Sequence, residues 1–185
     1  MFKVIINLFH RIRHKEECLC MQMQRSRKTK ACEIYRLKDS YYISPVSIDK
    51  ETGLAFVTCP VYCVPLKTNM DVLWDNIEFA LNSSINEKVC NDIIHNKKWL
   101  NYFKEKSFKS LFKKSVSCTL IIRNDVLKII FNEFDMQTGG QCRIQDSEIL
   151  EMKYSETDPA TITKIIAGNL QKYKSYTEKL KYSEQ

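Results

Sequence analysis

One pattern occurs twice in this chain: short alternating apolar runs that read as strands, then a stretch whose apolar residues recur one helical turn apart. In the first occurrence the helical stripe is Leu73, Ile77, Ala80 and Leu81; in the second it is Ile162, Ile165, Ile166, Leu170 and Tyr173. Leu73, Ile77 and Leu81 superpose on Ile162, Ile166 and Leu170 at a constant shift of 89 residues. Strand-rich stretches that each close in an amphipathic helix point to the α+β class. The expected fold is a curved antiparallel sheet with packed helices, in two loosely repeated strand-strand-strand-helix units covering 31–85 and 115–175, joined by a helical 86–114.

Within the first unit, Cys32–Leu37, Tyr41–Ile48 and Leu54–Thr58 are β-branched or aromatic runs separated by Lys38-Asp39 and Asp49–Gly53, the grammar of an antiparallel meander. A fourth run, Val61–Leu66, is interrupted by Pro60 and Pro65 and suits a sheet edge. Thr68-x-x-Asp71 resembles a capping box and predicts a helix start at Thr68. In the connector, Trp99, Leu100 and Phe103 form one stripe and Phe108, Leu111 and Phe112 another, with Ser107 as the break. In the second unit, Val116, Cys118, Leu120 and Ile122 alternate as a strand, Asn124-Asp125 can take the positive φ angles of a tight hairpin, and Leu127, Ile129 and Phe131 alternate back. Gly139-Gly140 predicts a loop and Ile149–Tyr154 a third strand, while Asp158 and Pro159 are an N-cap and first-turn pair for the last helix.

At 185 residues the chain has the length of about one domain and can bury a core without metal or disulfide staples. With Gly 4 and Pro 4 it is neither collagen-like nor low-complexity, and no apolar run reaches the roughly 18 residues of a membrane span. Of the eight cysteines, several sit inside apolar strand patterns. Val4 to Phe9 is short, includes Asn7 and is followed by Arg11 and Arg13 with no small-residue cleavage site, so no export signal is expected. The cysteines are therefore expected to be reduced, in a cytoplasmic protein.

Residues 1–30 read as a basic appendage to a folded 31–185. They hold 8 basic and 2 acidic groups, so nearly all of the net charge of +7 lies there. Phe2, Ile5, Ile6, Phe9 and Ile12 at helical spacing would suit an amphipathic surface helix; a poorly ordered leader, or translation starting near Met21 or Met23, fits the same residues.

No catalytic or metal-binding constellation emerges. Cys18-x-Cys20 and Cys59-x-x-x-Cys63 lack the paired spacing of a zinc site, and His10 and His14, one turn apart, have no second pair to complete them. His95 is the one histidine outside the leader and lies in a polar stretch, leaving no positioned base for a Cys or Ser nucleophile. There is no glycine-rich phosphate loop. The expectation is a protein that is not an enzyme and needs no metal or cofactor.

Two charged surfaces remain as binding candidates. Lys97, Lys98, Lys104, Lys106, Lys109, Lys113 and Lys114 are interleaved with Trp99, Phe103 and Phe108, a composition used for phosphate contact and base stacking, although those aromatics also fall on the apolar stripes. Opposed to this, Asp71, Asp75 and Glu78 share one helix face, and Glu133, Asp135, Asp146, Glu148 and Glu151 crowd the second unit. An acidic surface of this kind can cover the cationic cleft of a nuclease.

The order Cys32-Glu33-Ile34-Tyr35-Arg36-Leu37-Lys38-Asp39-Ser40-Tyr41-Tyr42-Ile43, then Gly53-Leu54, Pro60-Val61-Tyr62 and Leu73–Leu81 ending in Asn82-Ser83-Ser84, resembles the immunity proteins of bacterial contact-dependent growth inhibition systems. Lys97-Lys98-Trp99-Leu100, Phe108-Lys109-Ser110-Leu111-Phe112, Val116–Ile122, Leu127–Phe131, Gly139-Gly140 and the final helix continue the resemblance, which covers about residues 31–175. It implies a non-catalytic cytoplasmic protein that forms a heterodimer with the C-terminal toxin domain of an exported effector. Such toxins are often nucleases acting on tRNA. The acidic residues named above then become the candidate toxin contacts, and direct nucleic-acid binding through 93–114 is the alternative reading.

Overall fold

The computed structural model describes residues 29–49, 53–84, 93–145 and 147–183. Residues 1–28 of the basic leader, with its His10–His14 pair, Cys18 and Cys20, lie outside these residues, as do Cys90, the candidate contact Asp146 and the side chain of His95.

The elements run β1 (Lys30–Leu37), β2 (Ser40–Ile48), β3 (Ala55–Val57), β4 (Tyr62–Pro65), α1 (Met70–Asn82), α2 (Ile93–Tyr102), α3 (Phe108–Lys114), β5 (Ser115–Arg123), β6 (Val126–Phe134), β7 (Gln141–Arg143), β8 (Leu150–Lys153), a 3-10 turn (Tyr154–Glu156), α4 (Pro159–Lys172) and α5 (Tyr176–Ser183). The strands form one curled antiparallel sheet in the order β3-β2-β1-β5-β6-β7, with β4 also on β2 and β8 also on β6. This is the α+β architecture expected from the alternating runs and helical stripes.

The sheet order reads the same from either end. Along β2, residues 40–43 pair with β4 and 46–48 with β3; along β6, residues 126–129 pair with β8 and 132–134 with β7. On the β3/β7 side the register repeats as well: Val46↔Val57 and Ser47↔Phe56 become Asn132↔Arg143 and Glu133↔Cys142, each residue 86 positions later, whereas β8 pairs two residues further on than that shift of β4. At the centre of the sheet Glu33 pairs with Thr119, which is its own equivalent under that shift. A local two-fold through the β1–β5 pair requires that coincidence. Pro45 sits in β2 where the outer neighbour changes from β4 to β3, a position at which its missing N–H interrupts no ladder. Its carbonyl accepts from the Thr58 amide at 2.8 Å, and Phe131 accepts from Ile144 at 2.9 Å in the equivalent place.

One sheet face, lined by Cys32, Ile34, Ile43, Cys118, Leu120 and Ile129, packs on the stripes of α1 and α4 as the largest core. Each buried Leu or Ile there contributes roughly 1.5–3 kcal/mol relative to exposure. Toward one end of the other face, Tyr35 and Leu37 pack with Trp99, Leu100 and Phe103 of the α2 segment and Leu111 of α3. Trp99 donates its indole N–H to Ser44 Oγ at 2.9 Å, and Ser44 donates to the Thr58 carbonyl at 2.6 Å, so the polar atoms inside that cluster are partnered.

Local chemistry explains the element ends. Asn124 and Asp125 adopt φ 50° and 65°, the left-handed pair that turns β5 into β6. Asp158 caps α4 by accepting from the Thr161 amide at 3.0 Å, with Pro159 following it. Helix α1 starts one residue later than the capping-box reading: Asn69 is the N-cap, accepting from the Asp71 amide at 3.1 Å. Thr68 stays in the preceding turn because its own amide is bonded to the Pro65 carbonyl. Two elements were not expected, β7 and α5. No helix among the described residues is long and apolar enough to cross a membrane.

Candidate protein-binding surface

Helix α1 divides its residues sharply. Leu73, Trp74, Ile77, Ala80 and Leu81 face the core, which leaves Asp71, Val72, Asp75, Glu78 and Phe79 exposed along the opposite side. The three acids, at i, i+4 and i+7, therefore form one line, as the spacing predicted. Asp71 also lies in the first turn, where the helix dipole favours a negative charge.

The remaining acidic candidates do not join this line as one patch. Leu150 and Met152 pack against the α1/α4 core, so Glu151 projects from the other face of β8, where it pairs with Lys128 at 2.6 Å. Glu148 is exposed just before β8. Glu133 lies five residues along β6 from Lys128, about 17 Å at the usual strand rise, and is paired with Lys179 of α5. Asp135 is occupied by its own turn: its carboxylate accepts from the Thr138 hydroxyl at 2.6 Å and the Gln137 amide at 2.9 Å. These bonds, the Thr138 hydroxyl first, hold its carboxyl below the usual range despite partial burial. Charge density along the sequence thus over-reads the second unit, because β7 and β8 flank opposite ends of β6.

Two apolar side chains escape a reading based on charge. Phe79 is 59% exposed and Val72 is 45% exposed, two turns apart on the same side as the acids. The Phe79 ring is stacked on Tyr62 of β4, with centroids 6.3 Å apart and planes at 28°. On the other flank Tyr154, half-buried, has its hydroxyl pushed up first by burial and then by the charge of Glu78. The available signal in the sequence was that Phe79 falls off the Leu73–Ile77–Ala80 stripe.

The lysine-rich segment arranges its aromatics differently from a nucleic-acid platform. Trp99 and Phe103 are buried and Phe108 is half-buried, stacked on Trp99 at 5.4 Å, so these rings serve the core. Lys114 pairs with Glu105 at 2.8 Å, and Lys113 lies over the rings of Phe134 and Tyr176 at 5.5 and 5.7 Å.

Glu33, at the centre of the sheet, was also missed as a buried carboxylate. It is 6% exposed and accepts from Ser117 Oγ at 2.5 Å and Thr119 Oγ1 at 2.6 Å. Burial raises its pKa, partly offset by those hydroxyls and by Asn132. Among the described residues, no three His, Cys, Asp or Glu side chains are grouped to hold a metal ion.

The fold described above is shared with solved structures. The protein of unknown function NMB0488 from Neisseria meningitidis superposes with a TM-score of 0.61 at 16% identity, covering 80% of this chain and 96% of that one. A chain of the CdiA-CT/CdiI toxin and immunity complex from Yersinia pseudotuberculosis superposes with a TM-score of 0.53 at 12% identity, covering 78% of this chain and 94% of that one. No family model matches the chain, and no curated protein matches its sequence.

Proposed function

We propose that this chain is an immunity protein of a contact-dependent growth inhibition system. It works in the cytoplasm as a stoichiometric, non-catalytic inhibitor that binds the C-terminal toxin domain of an exported effector in a heterodimer. The observation that carries this reading is the fold shared with a chain of a toxin and immunity complex over 94% of that chain. It agrees with the sequence resemblance over about residues 31–175.

The resemblance also points to a nuclease as the partner, since such toxins are often nucleases and frequently act on tRNA. A nuclease must present cations to phosphate, and an acidic line such as Asp71, Asp75 and Glu78 is complementary to them. Of the candidate contacts, these three are exposed along one side of a single helix, whereas Glu133 and Glu151 already have intramolecular partners. The nucleic-acid alternative loses its stacking residues to the core, since Trp99 and Phe103 are buried.

The proposal places the cognate toxin domain in the gene immediately upstream, and co-expression with that domain tests it. Restored growth together with a stable 1:1 complex on a sizing column is the expected result. Continued killing and separate elution, with both proteins folded, would refute it.

A further inference from the structure

We infer that the outward side of α1, from Val72 to Phe79, docks a cationic protein surface, with Phe79 as the apolar anchor and Asp71, Asp75 and Glu78 as its steering rim. The inference rests on the immunity reading and adds to it the surface and the chemistry of the toxin face that meets it.

Phe79 carries the argument. An aromatic ring that is 59% exposed leaves apolar area uncovered, and Phe is among the residues enriched at interfaces over the rest of the surface. The ring is stacked on Tyr62 of β4, so a partner would meet two aromatic rings side by side. Val72, on the same side two turns earlier, extends the apolar strip along the helix.

The rim sets the occupant. Among the described residues none of Asp71, Asp75 and Glu78 makes an ion pair, so their field is directed outward. A phosphate backbone would be repelled by it. Two copies meeting through this face on a two-fold would set acid against acid. A protein surface bearing Lys or Arg around an apolar recess matches both the charge and the strip.

The test uses the full chain and the upstream-encoded toxin domain, with affinity and rates measured for wild type, Phe79→Ser and the double reversal Asp75→Lys/Glu78→Lys. All three side chains are on the surface, and unchanged circular dichroism confirms folding. Phe79→Ser is expected to weaken binding about 30-fold, chiefly through faster dissociation. The double reversal is expected to slow association at least tenfold and to flatten its salt dependence. If wild type binds and both variants bind within threefold of it, this interface is wrong while the immunity reading stands. If wild type binds no toxin domain, both fall together. Self-association of the chain that Phe79→Ser abolishes would assign the strip to a second copy instead. Amide protection of α1 that disappears when residues 1–28 are removed would assign it to the chain's own basic leader.

Discussion

Arg36 in the sheet and Glu178 in the last helix, 142 residues apart, form a two-pronged ion pair at 2.8 and 3.1 Å. The Arg36 side chain is 10% exposed and also donates to the Tyr173 carbonyl at 2.9 Å, so α5 is fastened to β1 just past the end of α4. Burial alone would raise the Glu178 carboxyl, but hydrogen bonds from Arg36 and from the Ser175 amide and hydroxyl lower its pKa to about 2.

Removing the charge at Glu178 leaves a nearly buried guanidinium uncompensated. Glu178→Gln should therefore destabilise the protein by about 1–3 kcal/mol, with faster amide exchange in Tyr176–Ser183 than in the central strands. The pH sign follows from the lowered pKa. Stability from this carboxylate is fully present above the unfolded value, about 4.3, and is lost as pH falls toward about 2. Urea unfolding between pH 5 and 2 should show a smaller acid loss in Glu178→Gln than in wild type; equal losses would contradict the assignment.

Glu33 has the opposite sign. Its folded pKa is raised by burial, so its favourable contribution is complete below the unfolded carboxylate value and disappears as pH rises through the folded one. Glu33→Gln removes the charge and keeps an acceptor for Ser117 and Thr119. Its unfolding midpoint should gain on wild type as pH rises from 4 to 8, and a constant difference across that range would show that Glu33 does not titrate with folding.

Trp99 ties α2 to the sheet through apolar area and one hydrogen bond to Ser44. Trp99→Phe should cost about 1 kcal/mol beyond its packing change, because Ser44 loses a donor. Trp99→Ala should cost about 3–5 kcal/mol. Chemical denaturation resolves the two, and equal small effects would mean that α2 is not part of the cooperative core.

Lys104 ends α2 with φ 55°, in the left-handed region, while the Glu105 amide bonds back to the Leu100 carbonyl. A glycine tolerates that backbone without a Cβ penalty. Lys104→Gly should raise stability by about 0.5–1 kcal/mol, read as a higher thermal midpoint. A lower midpoint would indicate that the lysine side chain contributes more than its backbone costs.

The elements legible in the sequence were those whose burial is periodic. Cys118, Leu120 and Ile122 alternate because one sheet face is core, and Ile162, Ile166 and Leu170 recur because one helix face is core. The same logic hid β7 and α5. Gln141–Arg143 is three residues with no buried side chain, held by pairing to β6, and α5 is fixed by Arg36 and by Tyr176 against Phe134 at 5.3 Å. Neither signal exists before the chain folds.

For the candidate surface, helical spacing placed Asp71, Asp75 and Glu78 together because a helix carries its own geometry. Glu133, Asp135, Glu148 and Glu151 sit on different strands and turns, and their separation depends on pairings that sequence proximity does not encode. Glu33 lies inside the run Cys32–Leu37, and nothing in that run sets it apart as a buried carboxylate. Only the partner strand, with Ser117 and Thr119 opposite, makes its burial intelligible.

The most direct measurement of the central claim is calorimetric titration of the purified full-length chain into the upstream-encoded toxin domain. A saturating 1:1 isotherm with nanomolar affinity, paralleled by loss of toxin activity at the same stoichiometry, is the predicted result. No heat of binding and undiminished toxin activity at a molar excess of the folded chain would contradict it.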